Sequence, residues 1–257
     1  MRTLMILTCV LMVCAASADA AVKMEQVEYK MDDTTLKGQL AYDDAVKDKR
    51  PGVIVVHEWW GLNEYAKRRA RMLAEAGYVA FAVDMFGEGK STEHPDEAGK
   101  WASAVRENQK LGMDRFMAGY NMLKSNPRVD ATHISAIGYC FGGGIVLGVA
   151  MAGIDLDAVV SFHGGLPQDP AVGKPKARML VCNGAADGLV TAEQIGTFMK
   201  NATDAGADWV FISYAGAKHG FTNPDAGKPG IGAIAYDEKA DRRSWATMLD
   251  FLAESKK

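Results

Sequence analysis

The 257-residue chain is 48% apolar and 24% charged, ordinary for a folded globular protein with ample material for a core. A formal charge of −3 argues against a nucleic-acid binder. The one basic cluster, Lys67-Arg68-Arg69-x-Arg71, is interrupted by apolar residues at helical spacing and reads as a solvated helix face.

At the N-terminus, Arg2 supplies a positive charge, Leu4 to Ala16 an apolar stretch and Ala18-Asp19-Ala20 an A-x-A cleavage signal. Residues 1–20 are therefore expected to be a secretory signal peptide, with a mature chain from Ala21 that is exported to a periplasm or secreted. The apolar stretch is shorter than the ~20 residues of a membrane-spanning helix, and no later segment is apolar enough to cross, so no membrane association is expected after cleavage. Lipid attachment at Cys14 is the alternative, disfavoured by the bulky Val13 before it.

The mature chain opens with two alternating strands, Met24 to Asp32 and Thr35 to Tyr42, which predict a hairpin at a sheet edge. Val53 to Val56 has the continuous apolar character of a strand buried on both faces, and it runs into His57-Glu58-Trp59-Trp60-Gly61. Helical spacing covers Leu62 to Ala76, and a strand follows from Tyr78 to Val83, ending at Asp84. A variable region, Phe86 to Trp101, leads to helical segments Ala102 to Gln109 and Met113 to Lys124. The pattern then becomes regular: strand His133 to Ile137, helix from Phe141, strand Ala158 to Phe162, loop Gly164 to Ala177, strand Met179 to Cys182, helix Thr191 to Ala205, strand Trp209 to Tyr214 and a closing helix Tyr236 to Glu254. Such alternation implies an α/β protein whose mostly parallel central sheet is flanked by helices on both faces, with the antiparallel hairpin added at its N-terminus. No repeat or linker divides residues 21–257, which read as a single domain. Cys140 and Cys182 end strands with a third strand-like run between them in sequence. If those runs are also neighbours in the sheet, the thiols lie roughly 9 to 10 Å apart. A disulfide tolerates about 7 Å, so both are expected to be free.

In parallel sheets, sites form at the carboxyl ends of strands, which singles out Glu58, Asp84, Cys140, His163, Asp187 and His219. Gly138-Tyr139-Cys140-Phe141-Gly142 is a G-x-nucleophile-x-G pattern with cysteine in the middle, between a strand and a helix. Alone, that motif leaves open a small buried cysteine at a glycine-rich bend. Asp187 and His219 follow in the order nucleophile, acid, base, although each taken singly also reads as a turn residue, before Gly188 and Gly220. Together they suit a thiol whose proton His219 accepts while Asp187 orients the imidazole. Backbone N–H groups of Phe141 and Trp59 are the candidate donors to an oxyanion. His57 and His163 lack metal-ligand spacing, so no metal is expected there, and His94 and His133 are assigned no role.

These motifs, His57-Glu58-Trp59-Trp60-Gly61, Gly138 to Gly143, Gly184-x-x-Asp187 and His219-Gly220-Phe221, resemble the dienelactone hydrolase family of α/β-hydrolases from about Pro51 to the last helix. The resemblance implies the α/β-hydrolase fold, a Cys140-Asp187-His219 triad, an acyl-thioester intermediate, no cofactor, and hydrolysis of a small ester or lactone in the manner of a carboxymethylenebutenolidase. It also implies that Glu58 lies near the thiol and accepts its proton as substrate binds. The family's two carboxylate-binding arginines fall at Glu88 and Asn223 here, so the anion clamp is missing unless Lys90 or Lys218 substitutes. Trp59, Trp60, Phe86 and Phe221, with Asn223, are expected to line an apolar substrate pocket. The alternatives are a non-catalytic ligand-binding protein of the same fold, or a thiol redox sensor acting through Cys140.

Overall fold

The computed structural model describes residues 22–228 and 230–254, so the expected signal peptide lies outside the described residues. The N-terminal hairpin pairs β1 (Val22–Met31) with β2 (Thr34–Asp43) in antiparallel register from Val22↔Asp43 to Met31↔Thr34. Its two-residue loop is Asp32-Asp33, and Asp32 takes the positive φ of 51° that tight hairpin turns demand. β1 is the sheet edge, as its alternating sequence predicts. β2 joins the rest antiparallel through Gln39↔Ala82, Leu40↔Phe81 and Ala41↔Ala80.

The partner strand there is β4 (Val79–Val83), and it lies beside β3 (Arg50–Val56). β5 (Val129–Tyr139), β6 (Ala158–Phe162), β7 (Arg178–Gly184) and β8 (Trp209–Tyr214) complete the eight-stranded order β1-β2-β4-β3-β5-β6-β7-β8, parallel from β4 onward. Successive residues of the apolar runs serve opposite faces. Val53 and Val55 pack into one core with α1 (Glu64–Glu75) and α6 (Glu238–Glu254), while Ile54 and Val56 pack into the other. That second core is closed by α2 (Pro95–Glu107), α3 (Gln109–Lys124), α4 (Phe141–Met151) and α5 (Ala192–Asp204).

Two of the boundaries that differ from expectation have a direct physical reason. α2 starts seven residues early, at Pro95, because proline at the first helical position gives up no hydrogen bond and Asp96 and Glu97 favour the positive helix terminus. β5 starts at Val129 and pairs with Arg50 across a register shift at Pro51/Gly52, so the strand is longer than its apolar stretch. Arg69 is a correction to the reading of the basic cluster as solvated: it is 2% exposed, turned inward one helical turn after the buried Tyr65. Its charge is compensated by Asp241 Oδ1 at 2.5 Å, the Thr222 carbonyl at 2.6 Å and the faces of Tyr65, Tyr139 and Trp245. Cys140 and Cys182 are both free thiols, with β6 between their strands. Among the described residues no helix is long and apolar enough to cross a membrane.

Candidate active site

β5 delivers Cys140 into a sharp turn at the foot of α4. Its backbone sits at φ 52°, ψ −112°, a region that costs a non-glycine residue about 1–3 kcal/mol and persists only where the surroundings enforce it. The flanking glycines explain how they do so. A Cβ at Gly142 would lie 2.3 Å from the Val56 carbonyl oxygen, and one at Gly138 would lie 2.1 Å from the Gly142 oxygen. Only bare backbone fits where α4 begins against β3, and the Gly142 N–H binds the His57 carbonyl at 3.1 Å. The result is a thiol that stays partly exposed while its neighbours Tyr139 and Phe141 are buried.

His219 reaches the elbow from the loop after β8, and Asp187 from the turn after β7. His219 Nδ1 and Asp187 Oδ2 are 2.9 Å apart, both residues nearly fully buried. Asp187 Oδ1 also accepts the Leu189 N–H at 2.9 Å, which fixes the carboxylate plane. Burial works against charge on His219, yet the Cys140 side chain and Asp187 together hold its pKa up to about 10. The three residues predicted from chain order are therefore brought together, with the imidazole between sulfur and carboxylate.

Glu58 stands at the end of β3, 4% exposed. Burial pushes its carboxyl up to about 7, against the opposing pull of Asn223, His219 and Arg69. Asn223 donates its Nδ2 to Glu58 Oε2 at 2.7 Å, so an uncharged side chain holds the glutamate. The turn carrying Glu58 and Trp59 is anchored by His57. Its Nε2 accepts the Met85 N–H at 3.2 Å, which leaves Nδ1–H to donate to the Glu58 carbonyl at 2.5 Å. Burial pushes this imidazole down to about 4. Phe141 is the first residue of α4, so its N–H has no carbonyl one turn earlier to bind. The Cys140 N–H, by contrast, is taken by the Phe162 carbonyl at 3.0 Å and His163 Nδ1 at 3.2 Å.

The expected pocket divides. Trp60 and Asn223 line a cleft of about 220 Å³ together with Asn63, Thr92, Glu93, Asp225 and Lys228, whose ammonium pairs with Asp225 at 2.8 Å. Phe221 is 0% exposed and packs on His163 and Tyr214, so it is a core residue rather than a pocket wall. Phe86 is likewise covered, wedged among His57, Trp101 and Phe141. Trp59 is partly buried and tilts against Trp60 at 4.6 Å between ring centroids.

Asp84 organises a loop instead of reacting: its two oxygens accept the N–H groups of Lys37, Phe86, Gly87 and Gly89 at 2.7–3.0 Å. Glu88 points toward the hairpin, paired with Lys37 at 3.1 Å, and Lys218 is bound to the Gly232 carbonyl at 3.0 Å. A cation that sequence reasoning missed is Arg106 of α2, whose guanidinium stands 5.6 Å from the centre of the Phe141 ring. A second hollow, lined by Tyr42, Arg50, Gly77 and Arg128, is at the amino ends of the strands and is only about 50 Å³.

The strand order, the elbow after β5 and the Asp187–His219 pair on the loops after β7 and β8 define an α/β-hydrolase. The chain belongs to the dienelactone hydrolase family, whose model matches residues 36–256. It is 32% identical to "Protein usf" of Aquifex pyrophilus, over 90% of this chain and 98% of that one. It is 26% identical to the "Putative carboxymethylenebutenolidase" of Aquifex aeolicus, over 89% and 97%. Among solved structures, a dienelactone hydrolase-like promiscuous phosphotriesterase from metagenomic libraries matches with a TM-score of 0.88 at 35% identity, over 91% and 98% of the two chains. The protein is accordingly a hydrolase of the ester and lactone class with a small-molecule substrate.

Proposed function

We propose that the protein hydrolyses an uncharged small ester or lactone through Cys140, His219 and Asp187, by way of an acyl-thioester. The observation that carries this reading is His219 held between Asp187 and the Cys140 side chain, with the thiol on a strained, partly exposed turn. The Cys140 side chain and Asp187 both favour the charged form of His219, which supports an imidazolium standing beside the thiolate once the thiol proton has left. Glu58, buried on the loop after β3 and close enough to His219 to feel its charge, is the carboxylate to which we assign the thiol proton.

The thiolate, paired with the His219 imidazolium, attacks the carbonyl carbon. The tetrahedral oxyanion is received by the N–H groups of Phe141 and Trp59. As the ester C–O bond breaks, His219 donates its proton to the departing oxygen. Neutral His219 then takes a proton from water while the hydroxyl attacks the thioester. Collapse releases the acid and the thiolate, and Glu58 returns its proton to sulfur. The net change is one water consumed, with acid and alcohol formed.

No arginine stands at positions 88 and 223 to clamp a substrate carboxylate, which favours uncharged substrates. The 35% identity to a promiscuous phosphotriesterase supports a second substrate class, neutral aryl phosphotriesters, attacked by the same sulfur. One panel tests both: p-nitrophenyl acetate, a neutral lactone, a carboxylate-bearing lactone and an aryl phosphotriester, each with wild type and Cys140→Ala. The expected result is turnover of neutral substrates that Cys140→Ala loses by at least about 10³-fold. Unchanged turnover by that variant refutes the nucleophile. Preference for the anionic lactone refutes the charge argument.

A further inference from the structure

His163 is a buried imidazole for which the proposed chemistry has no use. It follows β6, has no exposed surface and, like Cys140, holds a positive φ, 41°. That conformation is sparsely populated for a residue with a Cβ and persists where the surroundings over-determine it. Both ring nitrogens are committed. Nδ1 accepts the Cys140 backbone N–H at 3.2 Å. An amide only donates, so the ring proton sits on Nε2 and is given to Thr222 Oγ1 at 2.7 Å.

Thr222 comes three residues after His219. Its hydroxyl also shares a 2.6 Å hydrogen bond with Tyr65, and its carbonyl accepts Arg69 Nη2 at 2.6 Å. Arg69 in turn pairs with Asp241 of α6. A line of buried polar contacts therefore runs from the nucleophile's own amide, through His163, to the loop that carries His219 and on to α1 and α6. No strand pairing brings the elbow and that loop into register, because β6 and β7 lie between β5 and β8.

We propose that His163 is a positioning residue: as the Nε2–H tautomer it bridges the Cys140 amide to Thr222 and so sets the separation and orientation of the Cys140 and His219 side chains. The proposal rests on the Cys140–His219 reading above. The ring faces His219, T-shaped at 5.2 Å, Tyr139 at 6.2 Å, and the Arg69 cation beyond Thr222. Burial, His219 and Arg69 hold its pKa well below that of an ordinary imidazole. The ring thus stays neutral while His219 is charged, and a neutral ring is what lets Nδ1 accept the amide.

The experiment compares wild type with Thr222→Val, Thr222→Ser and His163→Asn. Valine keeps the shape of threonine but strands the Nε2–H. Serine restores an acceptor. Asparagine tolerates the left-handed backbone and offers the Cys140 amide an oxygen while losing the link to Thr222. Two readouts are taken: kcat and KM for p-nitrophenyl acetate, and the rate of Cys140 alkylation by iodoacetamide against pH, followed by mass.

Thr222→Val and His163→Asn are expected to lower kcat by about 10- to 100-fold with KM nearly unchanged, the scale of a small misplacement of reacting groups. The midpoint of the alkylation profile moves with kcat, because a thiolate less well aligned with His219 forms at higher pH. Thr222→Ser restores both. A Thr222→Val enzyme with wild-type kcat and alkylation profile overturns the proposal, as does a loss of activity that tracks melting temperature and that serine does not rescue. Alkylation needs no substrate, so it still decides the positioning role if Cys140→Ala shows the ester assay to be independent of sulfur.

Discussion

Glu58→Gln separates what a buried carboxyl does for chemistry from what it costs the fold. Burial raises the Glu58 pKa from an ordinary 4.5 to about 7. Below pH 4.5 the group is protonated in both folded and unfolded chains. Between 4.5 and 7 the unfolded chain releases the proton while the fold retains it, so wild-type stability falls as pH rises; above 7 the full cost is present. At 1.36 kcal/mol per pKa unit, the rise from 4.5 to about 7 amounts to about 3 kcal/mol, most of which develops between pH 5 and pH 8. Glutamine does not titrate, and its oxygen can still accept the Asn223 Nδ2–H. Urea unfolding of both proteins at pH 5 and pH 8 should therefore show Glu58→Gln gaining about 2–3 kcal/mol relative to wild type over that interval. For a chain of this size the corresponding gain in Tm is roughly 5–10 °C. The same variant should lose about 10²-fold or more in kcat/KM at pH 7, together with the wild-type rise in rate as pH passes through about 7. An unfolding difference that is the same at both pH values within about 0.5 kcal/mol would refute the burial argument. Wild-type kcat/KM in Glu58→Gln would refute the proton acceptor.

Two further substitutions test the frame around the site. Gly142→Ala places a Cβ 2.3 Å from the Val56 oxygen, and overpacking backbone against backbone should cost about 3 kcal/mol or prevent folding, read by thermal melting. Arg69→Met removes the cation paired with Asp241 and the donor to the Thr222 carbonyl and should destabilise by about 3–5 kcal/mol in urea, with Asp241→Asn in the same background recovering part of the loss.

Arg69 shows why some of the site was invisible beforehand. Helical spacing placed it among Lys67, Arg68 and Arg71, and composition made that face solvated; its inward turn is decided by Asp241, 172 residues later in the chain, which supplies the compensating charge. Phe221 and Phe86 carry the same lesson in reverse. Aromatic character suggested pocket walls, but whether an aromatic faces a cleft or a core depends on what packs over it, here His163 and Tyr214 in one case and Trp101 and Phe141 in the other. The early start of α2 was readable in principle, from Pro95 followed by Asp96 and Glu97.

What the chain declares locally is the set of strands, helices and turns, and the order nucleophile, acid, histidine. Apolar runs, glycine spacing and turn chemistry are properties of neighbouring residues, so the hairpin, the parallel strands and the elbow at Cys140 could be read from them. Only the tertiary structure decides that Asn223 holds Glu58 across 165 residues of sequence, or that His163 joins the Cys140 amide to Thr222. Those contacts depend on which loops meet above the sheet. The charge and proton position of a buried group follow from that meeting, through desolvation and the partner it finds, and not from its own place in the chain.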